Sequence, residues 1–205
     1  MARYVARQLD NMFPADSFEA DLAAVEPSVS PALERMRPIL AALRIYEPDR
    51  FDHFHSLAYA SFVYLLSTEV VARGDAVMGD RLFCLNRALN AIDLYHAVKL
   101  GEVFGIGHSL GTVLGNAVYG TKIIICQNVT VGRVADNRPT LGDRVLLYPG
   151  CSVTGRSNVG DNCVISAGVA VHNMDVPSNT LVTQKAGEVV LQPLERDFIG
   201  LFLRD

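Results

Sequence analysis

The sequence predicts an α+β chain, in which a helical N-terminal region over residues 1–92 precedes a parallel β-helix over residues 93–182. Apolar residues recur at helical spacing in the first region and at every sixth position in the second. Residues 141–176, LGDRVL LYPGCS VTGRSN VGDNCV ISAGVA VHNMDV, open each block of six with an aliphatic side chain. Strands repeat every two residues and helices every 3.6, so neither explains the pattern. One short strand and one corner of a parallel β-helix together occupy six residues.

The N-terminal region contains three stretches with helical features. We expect residues 1–30 to be irregular. Ser30 and Pro31 are typical of a helix start, with an N-cap followed by proline at the first helical position. A second helix is predicted over residues 54–72, where Gly74 is well placed to end it, and a third over residues 76–92, where apolar side chains fall on one face.

The six-residue period begins before the regular run and is interrupted once. Earlier members of the series are Leu100, Ile106, Leu114, Tyr119, Ile125 and Val131. The interruption is RVADNRPT, residues 133–140, which we interpret as a loop extruded from the coils. Glycine, asparagine and other small residues fall between the aliphatic positions, where tight corners need them. The last residues, 183–205, are expected to form a C-terminal tail.

Composition narrows the classes of function. The chain has 205 residues and a net charge of −4, and its basic residues form no cluster that would indicate nucleic-acid binding. The longest apolar run, LAYASFVYLL at 57–66, is about half the length of a membrane-spanning helix. The N-terminus lacks the apolar segment of a signal peptide. The four cysteines form no CxxC pair, so we expect reduced thiols in a cytoplasmic protein.

Two segments resemble bacterial serine acetyltransferases, which belong to the left-handed β-helix acyltransferases with hexapeptide repeats. The first is DLYHAVKLGEVFGIGHSLGTVLG, residues 93–115, in which Asp93 and His108 stand fifteen residues apart. The family's catalytic Asp and His have the same spacing. The second is ICQNVTVG, residues 125–132, which directly precedes the extruded loop. The resemblance implies a left-handed helix and an acyltransferase, most simply an acetyltransferase, that uses acetyl-CoA.

The pair also makes chemical sense. An imidazole titrates near neutral pH and can remove a proton from a hydroxyl or amine acceptor. A carboxylate on the far ring nitrogen would orient it. The thioester is already activated, and a backbone N–H, such as that of Gly132, would stabilise the oxyanion. Taken singly, His108 could be an exposed turn residue and Asp93 a helix cap, but their joint spacing favours the dyad.

The sequence departs from the family pattern around the acceptor. Where serine acetyltransferases end the extruded loop in Arg-His-Pro, this chain has Asn137 and Arg138 before proline, and Gly107 replaces the Asp before the catalytic His. We therefore expect Asn137 and Arg138 to contact the acceptor, which is either serine-like or a sugar. The sugar alternatives are the amino sugars, hydroxylated sugars and nucleotide sugars of surface polysaccharide synthesis. The planar guanidinium of Arg138 suits a carboxylate or phosphate.

The resemblance also implies a groove for CoA between neighbouring coils. The matching residues are Tyr148, Pro149, Gly150, Ser166, Ala167 and Gly168. Lys185 is a candidate contact to the CoA phosphates. The alternative for each is structural: corner glycines and a solvated lysine.

The same resemblance implies a homo-oligomer, either a trimer or a dimer of trimers, with active sites at the seams between subunits. No metal is expected, because only His108 and His172 lie well inside the coils, whereas carbonic anhydrases of this fold hold zinc with three histidines. The rival class of function is a β-helix scaffold without catalysis. Such a scaffold needs neither the Asp93 and His108 pair nor the extruded loop.

Overall fold

The computed structural model describes residues 1–204, and four α-helices form its N-terminal part. They are α1, Ala2–Met12; α2, Phe18–Ala42; α3, Ser56–Ala72; and α4, Ala76–Asn90. The helices predicted over residues 54–72 and 76–92 are confirmed, each with one end shifted by two residues.

The prediction that residues 1–30 are irregular is wrong, because α1 and half of α2 lie there. Helix α2 begins at Phe18 rather than at Pro31. Its N-cap is Ser17, whose hydroxyl accepts a hydrogen bond from the Ala20 backbone N–H at 3.1 Å. A side-chain oxygen at this position satisfies one of the free N–H groups of the first turn.

Helix α2 contains proline at three internal positions: Pro27, Pro31 and Pro38. Each proline removes one backbone donor, which disfavours a helix in isolation. The opposite side of α2 buries Val25, Ala32, Met36 and Ile39 completely, and this side packs on α1 and α3. Tertiary packing of the apolar face therefore outweighs the local cost of the prolines.

Helix α3 is the centre of the helical region. It contacts both α2 and α4, and most of its residues are buried. This position explains the apolar run at residues 57–66 as a core helix surrounded by protein. Among residues 1–204, no helix combines the length and the apolar character that crossing a membrane would need.

A parallel β-helix of about five turns follows. Its strands are β1, Ile92–Leu94; β2, Phe104–Ile106; β3, Thr112–Leu114; β4, Val118–Tyr119; β5, Ile123–Ile125; β6, Thr130–Gly132; β7, Thr140–Leu141; β8, Val145–Leu147; β9, Ser152–Thr154; β10, Asn158–Val159; β11, Cys163–Ile165; β12, Ala170–His172; β13, Asp175–Val176; β14, Thr180–Lys185; and β15, Glu188–Pro193. They form three faces. The first contains β1, β3, β6, β9 and β12, the second β4, β7, β10 and β13, and the third β2, β5, β8, β11 and β14. Only β14 and β15 pair in antiparallel fashion.

The six-residue repeat is confirmed in the strand register. Leu141 pairs with Val159, Leu147 with Ile165, and Val153 with Val171, so that partners stand eighteen residues apart. All six side chains are at most 3% exposed. Three repeats therefore make one turn, and each repeat supplies the inward residue of one face.

The corners between the second and third faces are joined by a ladder of side-chain hydrogen bonds. The Asp143 carboxylate accepts from the Thr121 N–H at 2.8 Å, and the Asp161 carboxylate accepts from the Asp143 N–H at 2.8 Å. Gly142, one residue before this ladder, has no room for a side chain, because a Cβ there would lie 2.2 Å from Asp161 Oδ1. The absence of a side chain at Gly142 thus allows two adjacent turns to pack in direct contact.

The residues predicted as a C-terminal tail return to the helical region. After the β14–β15 hairpin, the chain passes the outer side of the third face, where the Arg144 guanidinium lies 3.1 Å from the Asp197 carboxylate. It ends beside α2, where the Arg44 N–H donates to the Phe202 carbonyl at 2.8 Å. The Arg204 guanidinium donates to several carbonyls at the C-terminal end of α2, including those of Leu40 and Leu43. Both sides of β2, β5, β8 and β11 in the third face are consequently buried.

Replacing Gly142 with alanine should lower the free energy of unfolding by about 1–3 kcal/mol, the usual cost of forcing extra atoms into a packed site. Gly132→Ala is the matched control, because a Cβ at Gly132 would meet nothing within 4 Å. Urea unfolding of both variants measures the difference. Equal stability of the two variants would contradict the close contact between turns.

Candidate functional site

His108 lies in the corner between β2 and β3, and this corner is longer than those stacked on it. Residues 107–112 connect the register positions Ile106 and Val113, whereas residues 126–129 connect the equivalent Ile125 and Thr130. The corners at 148–151 and 166–169 are equally short. His108 has a left-handed backbone, with φ of 56°, and is exposed. The extra residues therefore displace His108 outward from the column of corners.

Buried hydroxyl groups hold this corner in place. The Ser109 hydroxyl donates to the Asn90 carbonyl at 2.6 Å, and the Thr112 hydroxyl donates to the Cys126 carbonyl at 3.1 Å. The Asn90 side chain in turn donates to Asn86 at 2.8 Å within α4. The imidazole thus projects from a loop that is anchored both to a helix and to the next turn. Sequence reasoning missed these anchors, because serine, threonine and asparagine are common in any corner.

Asp93 lies on the outer side of β1, on the first face. Its side chain is 39% exposed, and its Oδ2 atom is 3.5 Å from the Arg87 Nε atom. Asp93 pairs in register with Val113, so it lies beside the end of the corner that carries His108. Within residues 1–204, no hydrogen bond joins the Asp93 carboxylate to the His108 imidazole. The structure brings Asp93 and His108 to the same end of the β-helix. Their pairing as a catalytic dyad stays a prediction.

Gly132 and the extruded loop lie on the other edge of the first face. Gly132 ends β6, and the loop comprises residues 133–139, because Thr140 already pairs with Val118 in β7 and β4. Val134 and Asn137 close the loop tip through two backbone hydrogen bonds of 2.8 and 3.1 Å. Arg138 is exposed and makes no ion pair with any of residues 1–204.

The six residues expected at CoA occupy two corners directly above one another. The Tyr148 N–H donates to the Ile165 carbonyl at 3.0 Å, and the Gly168 N–H donates to the Pro149 carbonyl at 3.0 Å. Gly150 and Gly168 both have φ of 71°, a conformation that favours glycine. Ser166 and Ala167 complete the second corner. These corners continue the column that begins at the His108 corner, so the structure brings the predicted CoA residues and the predicted base to one edge.

Lys185 lies beyond that edge. Strand β11 ends at Ile165 and the chain turns, whereas its neighbour β14 continues straight from Val182 to Lys185. The exposed Lys185 pairs with Glu188 in the β14–β15 hairpin. The hairpin therefore extends past the corner column rather than following it.

A groove that sequence reasoning missed opens beside His108. It has a volume of about 370 Å³. His108, Gly107 and Cys126 line its inner edge, and burial raises the pKa of the Cys126 thiol, which keeps it neutral at pH 7. Its walls are mainly apolar: Leu43, Ile45, Leu57, Ile124, Leu201 and Phe202. These residues come from segments far apart in the chain, so no local motif marks the groove.

Three of the other histidines contact neighbouring side chains. The Asp80 carboxylate accepts a hydrogen bond from the Tyr95 hydroxyl at 2.8 Å and lies 3.0 Å from the His96 Nε2 atom, and these two contacts lower the pKa of Asp80. The His172 Nδ1 atom is 2.9 Å from the Thr154 hydroxyl. The half-buried His53 ring meets the Tyr4 ring edge to face.

The fold and the site define a β-helix protein of the hexapeptide-repeat class with a helical N-terminal part. No family model matches the chain. The chain is similar in sequence to several serine acetyltransferases. The enzyme of Synechococcus elongatus is 33% identical over 111 residues, which are 52% of this chain and 45% of the relative. That of Staphylococcus aureus strain Mu50 is 27% identical over 139 residues, 65% of each chain.

Solved structures show the same fold. The serine acetyltransferase from Vibrio cholerae O1 biovar El Tor N16961 superposes with a TM-score of 0.76, at 17% identity, over 96% of this chain and 80% of that one. A serine acetyltransferase complex with CoA gives a TM-score of 0.73, at 17% identity, over 92% and 83% of the two chains. The chain spans about half to two thirds of the length of the curated relatives it matches. Over nearly its whole length the chain therefore shares the fold of these solved structures, with N-terminal helices followed by a parallel β-helix.

Proposed function

We propose that this protein is an acetyl-CoA-dependent acetyltransferase, similar to serine acetyltransferases, that acetylates a hydroxyl or amine of a small acceptor. The observation that carries the proposal is the lengthened corner that projects His108 at the head of a column of open corners. A scaffold needs no such projection. The relatives named as serine acetyltransferases, and the solved complex of one of them with CoA, support the same assignment.

The column of corners offers space for the CoA moiety. A Cβ at Gly168 would meet nothing within 4 Å, and at Gly150 it would touch only Gly168 backbone atoms, at 3.9 Å or more. In the proposed arrangement, Tyr148 to Gly150 and Ser166 to Gly168 hold CoA, and Lys185 contacts its phosphates as a point charge. The acetyl thioester would then lie toward His108.

His108 is the proposed general base. Its imidazole takes the proton from the acceptor, whose freed lone pair attacks the thioester carbonyl carbon. The proposed donor to the oxyanion is the backbone N–H of Gly132 from a neighbouring subunit, because within one chain Gly132 and His108 lie at opposite edges of the first face. The imidazolium then returns the proton to the departing CoA sulfur, which restores the neutral base. Asp93 is the proposed orienting carboxylate, a role that requires its side chain to leave Arg87 and turn toward the imidazole.

His108→Ala should lower kcat by roughly 10² to 10⁴, the usual contribution of a general base, with the affinity for CoA little changed. Asp93→Asn should lose less, because the imidazole remains. Release of CoA thiol and calorimetric titration of CoA measure the two effects. His53→Ala, in the helical region, is the matched control and should match the wild type. A fully active His108→Ala variant would remove the base from this mechanism.

Arg138 is the proposed anchor for an anionic group of the acceptor, together with Asn137. Both are exposed on the extruded loop, where no carboxylate among residues 1–204 forms an ion pair with the guanidinium. Such a free, planar donor set suits a carboxylate or phosphate.

Arg138→Lys keeps the charge but loses the bidentate geometry, so the KM for an anionic acceptor should rise while the KM for acetyl-CoA stays constant. Arg133→Lys, in the same loop, is the matched control. Steady-state kinetics with serine and with a nucleotide sugar measure both constants. Unchanged constants in Arg138→Ala would exclude the anchor.

We propose a homotrimer, or a dimer of trimers, located in the cytoplasm and organised as regions 1–92, 93–182 and 183–205. The cysteine residues are all free thiols, as is usual in reducing compartments. The exposed loop at 133–139 is the element that would reach a neighbouring subunit, and closed cyclic symmetry is common among homo-oligomers.

Light scattering at micromolar concentration should give three or six times the chain mass. Deleting the loop residues 134–137 should lower that mass if the loop forms the seam. A monomeric wild-type protein would contradict the proposed assembly.

A further inference from the structure

We propose that the groove beside His108 binds an apolar body on the acceptor, so that the preferred acceptors are amines or alcohols carrying an alkyl or aromatic group. This inference rests on the proposed acetyltransferase function and specifies its acceptor class. It differs from what the relatives' names would suggest, since serine is a small zwitterion.

The groove has the size and the walls of a ligand site. Its volume of about 370 Å³ lies within the range of roughly 300–1,000 Å³ that is usual for small-molecule pockets. Leu43, Leu57 and Ile124 are at most 7% exposed and form the deep part. Ile45 and Leu201, exposed by 57% and 67%, stand at the entrance. A three-carbon amino acid would leave most of this apolar surface in contact with water.

Among residues 1–204, the lining of the groove offers no counter-charge for the ammonium group of a zwitterion. No carboxylate of these residues lines it, so an ammonium group in its apolar part would be desolvated without a partner. Its one guanidinium, that of Arg44, uses Nε to donate to the carbonyls of Gly200 at 3.1 Å and Leu203 at 2.7 Å. Cys126 presents a neutral thiol, as described above. Among residues 1–204, the one other polar side chain that lines the groove is that of His108, which is where the reacting hydroxyl or amine would lie.

Gly107 lines the groove directly beside His108, the proposed base. A Cβ at this position would have only the Ile125 carbonyl oxygen near it, at 3.6 Å, so a larger side chain can be introduced without a backbone clash. An aspartate at this position would place a carboxylate at the edge of the apolar groove. The site therefore offers a direct way to change the polarity of the groove while keeping His108.

The experiment compares alaninol, leucinol and phenylalaninol, which share one amine and one hydroxyl and differ in the apolar group, with serine as a fourth acceptor. The kcat/KM ratio of leucinol to alaninol should be at least about 10, since a well-packed methylene alone gives tenfold or more. Gly107→Asp should lower the phenylalaninol to alaninol ratio at least fivefold. Val77→Asp, which adds a carboxylate at a 73% exposed position of α4, should leave that ratio unchanged.

The outcomes separate the acceptor class from the function. Equal kcat/KM along the series, or a preference for serine, would overturn the acceptor class and leave the acetyltransferase proposal standing. Absence of transfer to any acceptor, with no binding of CoA, would count against the function itself. In that case, calorimetric titration with phenylalaninol tests whether the groove binds an apolar group. Binding by the wild type that is lost in Gly107→Asp supports the proposal, and absence of binding by the wild type overturns it. A change of oligomer mass in Gly107→Asp, with a flat series, would assign the groove to a second copy of the chain.

Discussion

The stacking of one turn on the next, in a register of eighteen residues, is the constraint on which the rest of this structure depends. Each turn must bring an aliphatic side chain over its equivalent in the turn below, as Leu147 does over Ile165. A short parallel strand has few hydrogen bonds of its own, so its stability comes from neighbours on both sides. The Asp143 and Asp161 ladder and the close approach at Gly142 extend the same contact through the corners.

This constraint also decides where chemistry can be placed. Side chains in the strands point either into the core or outward, and the strand backbones pair with the turns on both sides, so insertions without loss of register are possible only at corners. The chain uses two such places, the corner at 107–112 and the loop at 133–139. The first carries His108 and the second carries Asn137 and Arg138. The candidate functional residues thus concentrate where the repeat is relaxed, which is the general expectation for loops on a rigid scaffold.

The same logic explains what could be predicted from sequence. The repeat identifies the strands, because one inward position in six is a local signal that packing enforces. Helix α2 could not be placed, since its prolines argue locally against a helix that contacts with α1 and α3 stabilise. His108 could be predicted as a candidate base, because its spacing from Asp93 is a short-range feature that resembles a family motif, and its catalytic role stays a prediction. The groove could not, because Leu57, Ile124 and Phe202 meet only after the C-terminal segment returns to α2.

That return brings the C-terminal segment and the end of α2 together at one groove. The Arg204 guanidinium satisfies carbonyl groups at the C-terminal end of α2, which have no partner within the helix. By doing so it holds Phe202 beside Leu43 and covers the outer side of the third face. Loss of this contact would expose Ile124 and open one wall of the groove, while the turns that carry His108 would keep their register. The groove therefore depends on the contact between the C-terminal segment and α2, whereas the corner that carries His108 depends on the β-helix and on its anchor at the end of α4.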